Sequence, residues 1–182
     1  MNGKLAEQDQ ERTPEMSDHT PPTADRGEFI QAMRSVASSV SVVTTDGLAG
    51  RHGATVSAFC SVSADPPTVL VCLKTDSRIA EAVGKNGSYC VNVLPQSAQD
   101  IANRFAGMDD AKVSDRFDGI DHANNPLPTI GGATGFQTRI TQAVNSGSHT
   151  VFIGEVTAIA TGESVPLTYL DGAYTRVVRD QS

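Results

Sequence analysis

The chain has 182 residues, enough to bury a substantial core and few enough that one domain, with or without a tail, is the expectation. Fourteen Lys and Arg against twenty-one Asp and Glu give a net charge of -7, which argues against the broad basic surface that non-specific nucleic-acid binding needs. With 5% aromatic residues and no Trp, a cage built from aromatic side chains is disfavoured, so any flat ligand must lean largely on the backbone.

Residues 1 to 27 hold three of the nine Pro and no aromatic residue, a composition too poor in apolar groups to offset ordering entropy. They are read as a mobile tail, and residues 28 to 182 as the folded domain. No apolar run approaches the roughly 20 residues that cross a bilayer, and Met1 to Arg12 lacks the apolar stretch of a secretory signal, so a cytoplasmic protein is expected.

From Glu28, the spacing of Phe29, Ile30, Met33, Val36 and Ala37 predicts a short helix lying on a core and ending near Ser38. Val40 to Thr45 is β-branched and strand-like, and Asp46-Gly47, with Gly50 and Gly53, supplies a turn into a second strand over Ala54 to Val62. Ala64 to Pro67 breaks the chain before an apolar strand, Thr68 to Leu73. Ser77 then caps a short helix that Gly84 closes. Tyr89 to Leu94 is a further strand, stopped by Pro95, and Ser97 to Phe105 has helical spacing. The polar stretch from Gly107 to Gly132 reads as surface loop. Gly135 to Val144, Thr150 to Ala160 and Leu167 to Val178 complete a set of six or seven strands. Without a βαβ rhythm, these elements suggest a mainly β protein, a small antiparallel barrel with a few short helices.

Standard catalytic signatures are missing: there is no GxGxxG after a strand, no GxxxxGK[ST], no HExxH and no GxSxG. His19, His52, His122 and His149 show no metal-ligand spacing, and no metal is expected. Cys60, Cys72 and Cys90 each sit in an apolar stretch and read as small buried hydrophobes rather than disulfide partners. Three segments stand out instead. In Gly53 to Ala58, small and hydroxyl residues let the backbone come close to a flat ring, although an ordinary half-buried strand would look the same. Lys74 to Arg78 runs into a helix start, where free amides and cations attract a phosphate, although capping alone explains Ser77. His149, at the lip of a strand, could bond a bound substrate or simply sit in a hairpin turn.

Taken in order, Thr44-Thr45-Asp46-Gly47, Gly53-Ala54-Thr55-Val56-Ser57-Ala58, Cys60-Ser61-Val62-Ser63, Asp65 to Leu73, Cys90 to Leu94, Arg104-Phe105-Ala106-Gly107 and Gly147-Ser148-His149 resemble the short-chain flavin reductase family. Its members include the reductase components of two-component flavin monooxygenases, such as that of 4-hydroxyphenylacetate 3-monooxygenase, and the flavin reductase of pyrimidine degradation. The resemblance implies a split-barrel, flavin-binding homodimer. It would use NADH or NADPH to reduce FMN or FAD, which then diffuses to a separate oxygenase. It would place flavin contacts on Arg51, His52, Gly53, Ala54, Thr55, Ser57 and Ala58, and on Cys72, Leu73, Lys74, Ser77, Arg78 and Ile79. Further flavin contacts would fall on Arg104 and Phe105, and the nicotinamide on Gly147, Ser148, His149 and Thr150, with His149 as the catalytic or positioning residue. Many relatives carry Gly-Asp-His where this chain has Gly147-Ser148-His149. The alternatives are a flavoprotein that keeps FMN bound and passes electrons on without nicotinamide turnover, or a plain β-barrel interaction domain.

Overall fold

The computed structural model describes residues 22–163, 165–178 and 180. Its elements in chain order are α1 (Arg26–Met33), β1 (Ser38–Ser39), β2 (Ser41–Thr45), β3 (His52–Val56), β4 (Phe59–Ala64), β5 (Pro67–Lys74), α2 (Arg78–Asn86), β6 (Ser88–Val93), α3 (Gln99–Phe105), β7 (His122–Asn124), β8 (Pro128–Ile130), β9 (Thr134–Ser146), β10 (His149–Ala160), β11 (Thr168–Leu170) and β12 (Ala173–Thr175). Seven strands form one antiparallel sheet in the order β3-β2-β6-β9-β10-β5-β4.

That order puts β3 and β4 at opposite edges, yet only Ser57 and Ala58 separate them in the chain. Seven strands laid flat would hold their outer members about 29 Å apart at 4.8 Å per strand. Three Cα steps reach at most about 11 Å. The sheet must therefore roll until its edges meet, and the expected mainly β, antiparallel barrel is what forms.

Both faces of the central strands are covered. In β2 every residue is buried, with Val42 packed against Leu94, Ala102, Phe105 and Phe117 on the α3 side and Val43 against Val71, Val83, Val91 and Phe152 on the α2 side. Each such side chain stabilises the fold by about 1.5–3 kcal/mol on transfer grounds. In β6, Tyr89 lies wholly buried, its hydroxyl donating to the Phe152 carbonyl at 3.1 Å. Next to it, buried Asn92 donates to the carbonyl of Val42 and accepts from the amide of Ile130, tying β2, β6 and β8 together.

The elements depart from expectation where a local signal met a longer-range demand. The single strand expected over Ala54 to Val62 is split at Ser57-Ala58, because its halves pair with β2 and β5 at different edges, and Gly53 belongs to β3 rather than to the turn. Gly84 does not close α2; the helix runs on to Gly87, whose φ of +71° suits the left-handed cap and whose amide bonds the Val83 carbonyl. The region from 107 to 132 holds the β7–β8 hairpin, and the last expected strand is the β11–β12 hairpin. Helix α1 starts at Arg26, capped by Asp25, inside the stretch read as tail; residues 1–21 lie outside the described residues. Its apolar stripe does not lie on the core, since Phe29, Ile30 and Met33 are all exposed.

Burial pushes the Cys90 thiol from 9.0 up to about 11 and the Tyr89 phenol from 10.0 up to about 12. A raised folded value means that the stability is complete below pH 9 and is lost as pH rises through 9 to 11 for Cys90 and 10 to 12 for Tyr89. Each group contributes roughly 2–3 kcal/mol. The urea midpoint should therefore fall between pH 8.5 and pH 11, and Cys90→Ala should flatten the first part of that fall; an unchanged midpoint would show that these groups are not held neutral by the fold.

Candidate functional site

Two adjoining clefts open where the sheet edges meet, and Ala54, Ser77 and Ile79 line both. The smaller, about 340 Å³, runs between β3, the Ser57-Ala58 link and the end of β5, with His149 at its rim. The larger, about 860 Å³, continues past the start of α2 to the segment Asp110–Phe117.

The cleft floor is an edge strand with free amides. The Val40 carbonyl accepts from the Leu94 amide, so even-numbered residues at β2 bond towards β6 and odd ones towards β3. Gly53 and Thr55 stand opposite Thr44 and Val42, so their amide and carbonyl groups turn away from β2. Arg116 Nη1 meets the outward Gly53 carbonyl at 3.3 Å. Residue 53 carries no side chain and has no room for one: a Cβ there would lie 2.5 Å from the Phe105 ring packed beneath the strand.

The start of α2 forms one wall. Ser77 Oγ accepts from the Ala80 amide at 3.3 Å and donates to the Lys74 carbonyl at 2.6 Å, which fixes the corner after β5. Arg78 follows at the first helical position and makes no ion pair among the described residues. The corner thus presents helix-end amides beside a guanidinium that makes no ion pair among the described residues and feels the Asp110 carboxylate only at longer range, an arrangement that attracts anions. Lys74 is instead paired with Asp76 at 3.0 Å, and this bond holds the Asp76 carboxyl below its usual range.

Opposite α2, arginines pin the 107–121 segment. Arg116 grips Asp110 with two bonds of 2.7 and 2.9 Å and also donates to the Phe105 carbonyl at 2.9 Å. That grip holds Asp110 below the ordinary carboxylate range. Arg51 bonds Asp115 at 2.5 Å, meets His122 Nε2 at 3.1 Å and lies 4.5 Å over the Phe117 ring. Partial burial pushes Asp115 up, but the Phe117 amide and Arg51 outweigh it and its carboxyl ends below its usual value. Because the Ile120 carbonyl lies 2.8 Å from His122 Nδ1, that nitrogen carries the proton and Nε2 is free to accept from Arg51.

Of the residues singled out in the sequence, Arg51, His52, Gly53, Ala54, Ser77, Arg78 and Ile79 line the larger cleft, and Thr55, Ser57, Ala58, Cys72, Leu73, Lys74 and His149 the smaller. Others lie outside both. The Thr55 hydroxyl, though its residue lines the cleft, is spent on the Ala102 carbonyl at 2.7 Å. Phe105 is 1% exposed and packs beneath Gly53. Arg104 turns to Asp109 at 3.5 Å and to the Asp118 carbonyl at 3.2 Å. Gly147 and Ser148 make the β9–β10 turn, held by the Thr75 amide on the Ser148 carbonyl. The Thr150 hydroxyl is occupied by Thr75 and Asn145. His149 itself is exposed, its Nδ1 3.0 Å from Ser148 Oγ. Missed were Val56, Asp110, Val113, Ser114, Asp115, Arg116 and Phe117. An isolated Phe inside a polar stretch was the one available sign that this loop packs on something.

Comparison with known proteins bears on the family and the fold. Residues 33–177 match the flavin reductase like domain. The FMN reductase (NADH) RutF of Variovorax paradoxus is 36% identical over 163 residues, covering 87% of this chain and 89% of its own. The 4-hydroxyphenylacetate 3-monooxygenase reductase component of Salmonella typhimurium is 38% identical over 128 residues, covering 69% and 75%. The NADH:FAD oxidoreductase SgcE6 of Streptomyces globisporus, solved in complex with NAD and FAD fragments, superposes with a TM-score of 0.78 at 27% identity over 87% of this chain and 96% of that one. A family match that takes in nearly every element of the rolled sheet and both cleft walls leaves one conclusion: the chain belongs to the flavin reductase-like family.

Proposed function

We propose that the ring edge of FMN or FAD lies where the two clefts adjoin, on the outward amides of Gly53 and Thr55, that the Ser77–Arg78 corner takes the flavin phosphate, and that His149 positions the nicotinamide. The chain is an NAD(P)H-dependent flavin reductase whose reduced flavin serves a separate oxygenase. The observation that carries the site assignment is the juxtaposition of an unpaired strand edge with a helix-start cation that makes no ion pair among the described residues. The donors present fit an isoalloxazine: fixed N–H groups and small side chains on one side, an anion site on the other. Bound there, the flavin supplies the electron sink that accepts a hydride from a dihydronicotinamide. The protein's part is placement and exclusion of water, which explains the missing nucleophile.

The test is spectroscopic. Purified protein should oxidise NADH or NADPH only when FMN or FAD is added, and flavin fluorescence should quench on mixing. A yellow protein that ignores reduced nicotinamide would favour the flavin-retaining alternative. His149→Ala should lower kcat/KM for NADH about tenfold, equal to about 1.4 kcal/mol, with the flavin dissociation constant within twofold. An unaltered kcat/KM would remove His149 from the mechanism.

A second copy of the chain is proposed to cover α1, whose Phe29, Ile30, Met33 and the following Val36 are 44–60% exposed. Sedimentation equilibrium showing a monomer at micromolar concentration would reject it. Three free thiols, Cys60, Cys72 and Cys90, support a reducing, cytoplasmic setting.

A further inference from the structure

His149 is the last rung of two ladders. It stands opposite Lys74 at the end of β5 and opposite Ser146 at the end of β9, and on its other side the chain turns through Gly147 and Ser148. The residue is exposed, and the one hydrogen bond of its ring among the described residues stays within its own turn, with Nδ1 3.0 Å from Ser148 Oγ. Packing therefore does not aim this imidazole. The turn does.

What holds the turn is Thr75, the first residue past β5. Its amide donates to the Ser148 carbonyl at 3.0 Å, and its hydroxyl lies 3.0 Å from that of Thr150. The buried Thr150 hydroxyl donates to the side-chain carbonyl of Asn145 at 2.9 Å, and a hydroxyl has one hydrogen to give, so Thr75 is the donor of the pair. The result is a directed chain, Thr75 to Thr150 to Asn145, that stitches the end of β5 across β10 to β9 on the rung next to His149. Thr75 also belongs to the corner, because the carbonyl of Lys74 just before it accepts from both the amide and the hydroxyl of Ser77. One residue thus ties the His149 turn to the Ser77–Arg78 corner.

We infer that Thr75 is a positioning residue of the reaction: its hydroxyl, through Thr150, holds the β9–β10 turn against the corner and so sets where His149 stands at the cleft rim. The inference deepens the reading above and rests on its assignment of the nicotinamide to His149. Thr75 is itself exposed, so the loss of its hydroxyl should be felt in turnover rather than in melting. Its amide bond survives any substitution except proline, and the expected effect is that of a single hydroxyl.

Thr75→Val removes the hydroxyl and keeps the branched shape, while Thr75→Ser keeps the hydroxyl. In Thr75→Val, kcat/KM for NADH should fall about three- to tenfold, with the FMN dissociation constant within about twofold and Tm as in the wild type. Thr75→Ser should bring kcat/KM back to within about twofold of the wild type. The decisive readout is the double variant: because Thr75 acts through His149, Thr75→Val should change kcat/KM by less than about twofold in a His149→Ala background. A loss that multiplies undiminished in the double variant, or that Thr75→Ser does not repair, would overturn the inference. So would an FMN affinity that drops in step with kcat/KM, which would put the hydroxyl on the flavin. If His149→Ala itself leaves kcat/KM unaltered, the nicotinamide assignment fails and takes this inference with it; if His149→Ala has its effect and Thr75→Val has none, the inference alone fails.

Discussion

Replacing Arg78 by Ala should weaken FMN binding by about 10- to 100-fold, while riboflavin, which has the same ring and no phosphate, should bind within twofold of its wild-type affinity. The size follows from the loss of a charge-assisted bond, about 1.5–3 kcal/mol, at tenfold per 1.4 kcal/mol. The selectivity follows from geometry. Arg78 sits at the start of α2 with no carboxylate partner among the described residues, so its removal frees no buried charge and breaks no internal pair. Titration of flavin fluorescence with both ligands checks it. Equal losses for FMN and riboflavin would mean that the residue supports the helix rather than the anion.

Gly53→Val should cost both stability and flavin affinity. A Cβ at this position meets two Phe105 ring carbons at 2.5 and 2.7 Å and Phe117 at 3.3 Å. Phe105 cannot step aside, since it is 1% exposed and packs edge-on against Phe117 at 4.9 Å between centroids. Overpacking of this kind costs about 1–3 kcal/mol. In a chain of this size that lowers Tm by about 2–4 °C per kcal/mol. Any relief by outward movement of β3 displaces the amides of Gly53 and Thr55 from the cleft, so KM for flavin should rise more than tenfold. Adding Phe105→Leu should restore part of the Tm, because the two side chains compete for one volume. A Gly53→Val protein with wild-type Tm and KM would show that the close approach is not what this position is for.

Both experiments rest on residues visible in the sequence, and the reason is locality. The Ser77 cap and Arg78 are read within four residues of each other, and a strand-to-helix corner is a local event. β5 was likewise legible as a strand from the near-continuous apolar run Thr68 to Leu73, while the alternation that buries Val69, Val71 and Leu73 appears only in the fold. What sequence could not supply is whatever depends on pairing across distance. Nothing near Arg51 announces Asp115, 64 residues away, and Arg116 reaches back 63 residues to the Gly53 carbonyl. Thr55 and Thr150 are the types that line ligand sites, yet one caps Ala102 and the other bonds Thr75 and Asn145. The apolar spacing read for α1 did not carry over, because the helix ends at Met33, short of Val36 and Ala37, is only weakly amphipathic, and leaves Phe29, Ile30 and Met33 exposed. Arg104 and Phe105 were carried by family resemblance; here one is turned to Asp109 and the other supports Gly53 from below.

The two-residue tether at Ser57-Ala58 has a consequence for how occupancy is felt. The smaller cleft takes residues from β3 on one lip of the rolled sheet and from β5, beside the other lip, so a ligand lodged there acts as a clasp across the seam. Heat resistance should then climb with ligand concentration, as the logarithm of one plus the ratio of free ligand to its dissociation constant. A clasp that must open once per cycle to release its cargo cannot be fastened too firmly: the same contacts that close the seam set how fast the cargo can depart.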